Sequence, residues 1–143
     1  MEKFIIVFSV LLNFGLMPCK LSGQVSMSTQ ELLAAAINSE CGICDFREKM
    51  LVGSVIMNRV NHNDFPNNIY EVIYQDRQFH GVHSSNFYHT EATIKVANII
   101  LTTGVYDSNV LYFYNPEFST NKPFLEAMKR RVLYRERYHF FAK

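Results

Sequence analysis

The chain has 143 residues, of which 48% are hydrophobic and 14% aromatic, with 6 Gly and 4 Pro. That is enough apolar surface for one compact core, which excludes disordered, collagen-like and low-complexity classes. A formal net charge of +1 argues against a dedicated nucleic-acid binder, whose domain charge is usually basic.

The first elements are those of a targeting segment. Met1, Glu2 and Lys3 precede an apolar run from Phe4 to Leu12, extended through Phe14 and Leu16 to Met17. Small residues Ser22 and Gly23 follow, then polar Gln24. Residues 1–23 thus read as a secretory signal peptide, leaving a single domain over 24–143 in an exported protein, periplasmic or extracellular. Pro18 and Lys20 break the run too early for a membrane span, so no stable span is expected after processing. An uncleaved N-terminal anchor is the alternative. Without residues 1–23 the chain is neutral, but seven basic residues (Lys122, Lys129, Arg130, Arg131, Arg135, Arg137, Lys143) crowd its end against Glu126 and Glu136. Such a patch is either a solvated surface or an attractor for an anionic polymer.

Ser28 and Glu31 form a capping box, and Leu33, Ile37 and Glu40 share one face of the helix that follows. Gly42 is expected to stop it. Asp45 and Glu48 repeat the capping signal for a helix from Phe46 to about Val60. That helix is apolar nearly all round, apart from Asn58 and Arg59, and is expected to be the buried central one. Asn61–Asn67 is a polar loop, and Asn68 with Glu71 opens a short helix ending near Gln75. Arg77–Tyr88 looks irregular. A further helix spans about Thr90 to Thr103, with Ile94, Ala97 and Leu101 on one face and Gly104 as its stop. Val110–Tyr114 reads as a strand, Pro123–Met128 as a short helix, and Val132–Tyr134 with Tyr138–Phe141 as a hairpin. The expected class is α+β, mostly helical with a small antiparallel sheet.

Glu40 is the most informative residue. A carboxylate aligned with Leu33 and Ile37, at the negative end of a helix, is expected to have a raised pKa. A carboxylic acid that keeps its proton near neutral pH is what a general acid for an ether-type bond requires. The plain alternative is a helix-end Glu turned to solvent. Spacing identifies no second carboxylate among Glu48, Asp64, Glu71, Asp76, Glu91 and Asp107. Cys41 and Cys44, the two cysteines beyond the signal, suit a small disulfide or two free thiols. A zinc site recruiting His80 and His83 is the less favoured reading, because the separation is not that of a zinc finger. In Tyr112-Phe113-Tyr114, alternation sends Phe113 inward and both tyrosines to the opposite face, which suits sugar rings as well as ordinary packing. Asn58, Gln78 and Asn115 can supply amide hydrogen bonds to sugar hydroxyls or acetamido groups.

The stretch Leu51-Val52-Gly53-Ser54-Val55-Ile56-Met57-Asn58-Arg59-Val60, followed by Phe65-Pro66-Asn67-Asn68-Ile69, Val72-Ile73-Tyr74-Gln75 and Gln78-Phe79, resembles the SleB-type (spore-cortex-lytic) cell wall hydrolase family. Leu111-Tyr112-Phe113-Tyr114-Asn115-Pro116 and Tyr138-His139-Phe140-Phe141 look like its other hallmarks. The resemblance runs from about Leu32 to Phe141. It implies a fold related to lysozyme and soluble lytic transglycosylases, peptidoglycan strands as substrate, and one catalytic Glu in a Glu-Ala-Arg-Gly-Glu context. The matching residue is Glu40, followed here by Cys41-Gly42-Ile43-Cys44, so the second acidic residue of the pattern is missing.

The chain is therefore expected to be a monomeric peptidoglycan lytic transglycosylase with Glu40 as its acid and no cofactor or catalytic metal. Asn58, Gln78, Phe79, Tyr112, Tyr114 and Asn115 are the expected substrate-binding residues. A hydrolytic muramidase is the alternative, as is a non-catalytic secreted glycan-binding or zinc- or disulfide-stabilised module.

Overall fold

The computed structural model describes residues 26–143; the expected signal peptide lies outside them. Five α-helices run in chain order: α1 Thr29–Cys41, α2 Phe46–Val60, α3 Ile69–Ile73, α4 Glu91–Thr103 and α5 Lys122–Lys129. A 3₁₀ turn, His80–His83, lies between α3 and α4. Strands β1 Tyr112–Tyr114, β2 Val132–Arg135 and β3 Phe140–Ala142 form one antiparallel sheet in the order β1-β3-β2.

The helix starts follow local chemistry. Ser28 and Glu31 close a reciprocal capping box on α1, and Asn68 caps α3 through the Glu71 N–H. Asp45 caps α2 by accepting from the Glu48 N–H at 2.9 Å. The Glu48 side chain does not return to the cap, as the sequence suggested; it is fully buried instead. Gly104, with φ 102°, stops α4 in a conformation that L-residues rarely adopt. Gly42 caps the end of α1, as expected, with a right-handed φ of −55°.

Packing corrects two further expectations. α2 is enclosed along most of its length, but so is α1, whose residues 32–38 are all buried; the two share the centre of the molecule. On α4 the buried face is Thr93, Val96, Ala97 and Ile100, while Leu101 is 38% exposed. The inward face is thus turned by one position relative to the Ile94–Ala97–Leu101 reading. Gly53 makes the crossing of α1, α2 and α4 close: a Cβ there would fall 2.4 Å from Ile100 Cδ1 and 2.9 Å from Ile37 Cδ1. The sheet caps one end of this helical core. Phe113 and Phe141 pack into it, whereas Tyr112 and Tyr114 sit in a second cluster with Met128, Phe124 and Phe140. The alternation expected for β1 therefore holds.

Candidate active site

An open cleft of about 540 Å³ lies between the C-terminal end of α1, the segment 77–80 and the outer face of the sheet. Its lining includes Glu40, Arg59, Gln78, His80, Tyr112, Tyr114, Asn115 and His139. Glu40 is the one carboxylate among the lining residues.

α1 delivers Glu40 to this cleft because Leu33 and Ile37, one and two turns earlier on the same face, are fully buried. The side chain is half-buried at the helix end. Its Oε1 accepts a hydrogen bond of 2.9 Å from the Gly81 N–H. Burial holds the Glu40 pKa above the ordinary 4.5, outweighing the opposing pull of the Gly81 N–H and of His80 and His139. The acid is therefore sheltered yet anchored by a single backbone donor. Gly81 has no room for a side chain: a Cβ would meet Ser39 Cβ and Oγ at 2.5 Å and Glu40 Oε1 at 3.0 Å.

Four of the expected binding residues line the cleft with Glu40. Tyr112 and Tyr114 come from β1; Tyr114 is wedged edge-on between Phe124 and Phe140. Asn115 uses its carbonyl oxygen to accept from the Glu117 N–H, so its amide NH₂ is left for the cleft. Gln78 accepts from Arg59 Nη1 at 3.1 Å, which also leaves its NH₂ free to donate.

Two expected binding residues are placed elsewhere. Asn58 is buried and donates to the carbonyls of Asp107 and Val110, both at 2.8 Å, tying α2 to the chain before β1. It lines a separate pocket with Met57, Asn61 and His62. Phe79 is only 3% exposed and packs in the core between the Arg59 guanidinium and Phe113.

Sequence reasoning passed over three residues that shape the site. Arg59, 4% exposed, stretches beneath the cleft, donating through Nε to the Leu111 carbonyl at 2.8 Å. Its guanidinium is stacked among Phe65, Phe79 and Tyr112, and burial lowers its pKa to about 10. An arginine inside an otherwise apolar helix was the available signal. His139, on the approach to β3, presents its ring to the cleft while Nδ1 donates to Glu48 Oε1 at 2.9 Å. Arg77, the one non-glycine residue with positive φ among the described residues, stands on the rim.

Cys41 and Cys44 form a disulfide directly after Glu40. The zinc set with His80 and His83 is not assembled: His80 lines the cleft and His83 meets Tyr74 edge-on. The neighbours of the sulfurs are His139 and Glu48. Cys44 stands where the resembled pattern has its second carboxylate, and Glu48, one helical turn on, brings a carboxylate to within 4.8 Å of that sulfur.

The profile of a family described as Cell Wall Hydrolase matches residues 45–142. The spore cortex-lytic enzyme of Bacillus cereus is 33% identical over 100 residues, which are 68% of this chain and 38% of that protein. The chain thus spans well under half of the length of that relative. The crystal structure of the catalytic domain of the Bacillus cereus SleB protein superposes with a TM-score of 0.71 at 25% identity, covering 83% of this chain and 94% of that one. The catalytic domain of the germination-specific lytic transglycosylase SleB from Bacillus anthracis gives the same score and identity, with 98% of its chain covered.

Proposed function

The chain belongs to the cell wall hydrolase family, and from that premise we propose that it is a peptidoglycan lytic transglycosylase with Glu40 as its single catalytic carboxylate. The observation that carries this reading is the solitary, half-buried Glu40 in a cleft lined by tyrosines and free amide groups. The family match begins at residue 45, beyond Glu40, so Glu40's role rests on geometry and on the pattern around it. The names of the relatives, a spore cortex-lytic enzyme and a lytic transglycosylase, favour the same substrate class.

In the proposed cycle, protonated Glu40 gives its proton to the glycosidic oxygen between N-acetylmuramic acid and N-acetylglucosamine. The C1–O bond breaks, and positive charge builds on C1 and the ring oxygen of the muramyl residue. Ionised Glu40 then takes the proton from that residue's C6 hydroxyl, whose oxygen closes on C1 to give a 1,6-anhydro end. One carboxylate serves as acid and then as base. Glycosidases that hand water to the sugar ordinarily use two carboxylates, and the cleft lining offers one. Tyr112 supplies an apolar surface for a sugar ring, with the buried Tyr114 forming the cleft wall beside it, and Gln78 and Asn115 supply donors for acetamido carbonyls.

Access to a cell wall requires export. The pattern over residues 1–23 supports a signal peptide, and among the described residues no helix is long and apolar enough to cross a membrane. The protein is proposed to act outside the cytoplasm as a monomer. The test is digestion of purified peptidoglycan by the wild type and Glu40→Gln, with mass spectrometry of the soluble fragments. Anhydro ends from the wild type and none from the variant are expected. Reducing ends would make the enzyme a muramidase, and full activity in the variant would remove Glu40 from the mechanism.

A further inference from the structure

Behind the cleft, on the far side of His139, four side chains from three parts of the chain converge: Cys41 at the end of α1, Cys44 in the following turn, Glu48 in α2 and His139 before β3. Their donor atoms all lie within 4.8 Å of one another. Both sulfurs are close to one ring nitrogen: Cys41 Sγ is 3.9 Å and Cys44 Sγ 4.0 Å from His139 Nδ1. Glu48 Oε1 is 2.9 Å from that nitrogen. The second oxygen, Glu48 Oε2, is buried and has no hydrogen-bond partner. A fully buried carboxylate with an unpartnered oxygen is costly and normally finds a cation or donor.

We propose that in the dithiol state these four residues form a Zn²⁺ site, with Cys41 and Cys44 thiolates, His139 Nδ1 and a Glu48 oxygen as ligands. Zinc at about 2.3 Å from sulfur and about 2.0–2.1 Å from nitrogen, in tetrahedral geometry, puts its S and N ligands about 3.6 Å apart. The observed 3.9 and 4.0 Å need a small contraction, and once reduction breaks the disulfide the two sulfurs must part to about 3.8 Å, the separation of two thiolates on one tetrahedral zinc. Two soft thiolates with an imidazole and a carboxylate are a donor set that zinc favours. All four positions are taken by protein, so the ion is structural and leaves the glycan chemistry to the cleft.

The disulfide and the metal are mutually exclusive occupants. A dithiol reductant delivers two electrons and two protons to the Cys41–Cys44 bond and leaves as its own disulfide. Zinc binding then releases the two thiol protons to solvent, and His139 binds through Nδ1 as the neutral imidazole, its one ring proton sitting on Nε2. Either occupant clamps the turn after Glu40, and the metal additionally ties that turn to α2 and to the approach to β3. The sequence-based zinc reading used the same cysteines but the wrong histidines, because His139 lies 95 residues beyond Cys44.

The test uses the full chain carrying Cys19→Ser, so that only the paired cysteines can respond. Protein reduced with a phosphine under anaerobic conditions is titrated with Zn²⁺ against a chromophoric chelator, and separately with Co²⁺. One Zn²⁺ per chain is expected, together with a near-ultraviolet thiolate-to-Co²⁺ charge-transfer band. The oxidised chain is expected to bind none. Further replacement of Cys41 or Cys44 by Ser should abolish the band, and Glu48→Ala or His139→Ala should weaken Zn²⁺ binding at least tenfold. No metal uptake by the reduced chain, a Co²⁺ adduct without the thiolate band, or equal uptake by the oxidised chain overturns the proposal. The Co²⁺ spectrum of the Cys19→Ser chain decides the matter even where a further variant fails to fold.

Discussion

The Gly81 N–H reaches Glu40 Oε1 across 41 residues of chain, and that single 2.9 Å bond fixes the proposed acid against the 3₁₀ turn. It also opposes the effect of burial. A donor to the ionised form makes that form cheaper, so Glu40 is held above the ordinary carboxylate value but less far than burial alone would push it.

The first consequence concerns pH. Glu40 must carry its proton to act as an acid, so kcat/KM on soluble glycan fragments is expected to fall as pH rises through a raised Glu40 pKa. The limb should lie above 4.5. Stability follows the same sign. A pKa raised on folding gives a stabilising contribution that is present below the unfolded value and lost as pH rises through the folded one. The melting temperature of Glu40→Gln minus that of wild type should therefore grow from acid to neutral pH. A flat difference would contradict the burial of Glu40.

Substituting Gly81 tests the anchor. In Gly81→Ala the new Cβ would collide with Ser39 at 2.5 Å, so the turn must move away from α1 and the bond to Glu40 must lengthen. A loss of about 1–3 kcal/mol in stability is expected from the overpacking. Misplacing a catalytic group by an ångström can lower activity about 100-fold. The alkaline limb should move upward, because the donor that favours ionised Glu40 is weakened. An unaltered pH profile would show that the bond does not tune the acid.

Arg59 can be separated from Gln78 by a pair of variants. Arg59→Lys keeps a cation but loses the forked geometry that joins the Leu111 carbonyl to Gln78. Thermal denaturation should report a loss of about 1–3 kcal/mol, since a buried carbonyl is left underused. Gln78→Ala removes an exposed side chain and the acceptor of Arg59 Nη1, whose place water from the open cleft can take. It should leave the melting temperature within a degree or two, on the order of a surface change, and raise KM if Gln78 contacts the glycan. An unchanged KM would take Gln78 out of the binding surface.

The basic patch makes a salt prediction. All seven of its basic residues are exposed, and Arg131 stacks on Tyr112 at 5.3 Å, so the patch adjoins the cleft. Association with purified cell walls should weaken as the screening length falls from about 10 Å at 0.1 M salt to about 3 Å at 1 M. Binding that is indifferent to salt would leave the patch as ordinary solvated surface.

Much of this molecule is written locally. The helix caps, the span of α2, the alternation in β1 and the arrival of Glu40 on the buried stripe of α1 all follow from spacings of two to seven residues, which backbone geometry alone converts into faces. Where the reading failed, a distant partner had intervened. Glu48 looked like a capping residue because its neighbours are local, but His139 and the Tyr138 N–H draw it into the core. Asn58 looked available to a ligand until two carbonyls some 50 residues away claimed its amide. Gly81 carried no signal at all, since nothing in a sequence shows which backbone N–H will meet a carboxylate 41 residues earlier. The sequence by itself determined the helices, the position of Glu40 at the end of a buried stripe, and the family. The tertiary structure decided which polar groups remain free for a substrate, because a polar group buried on folding must take whatever partner the packing brings to it.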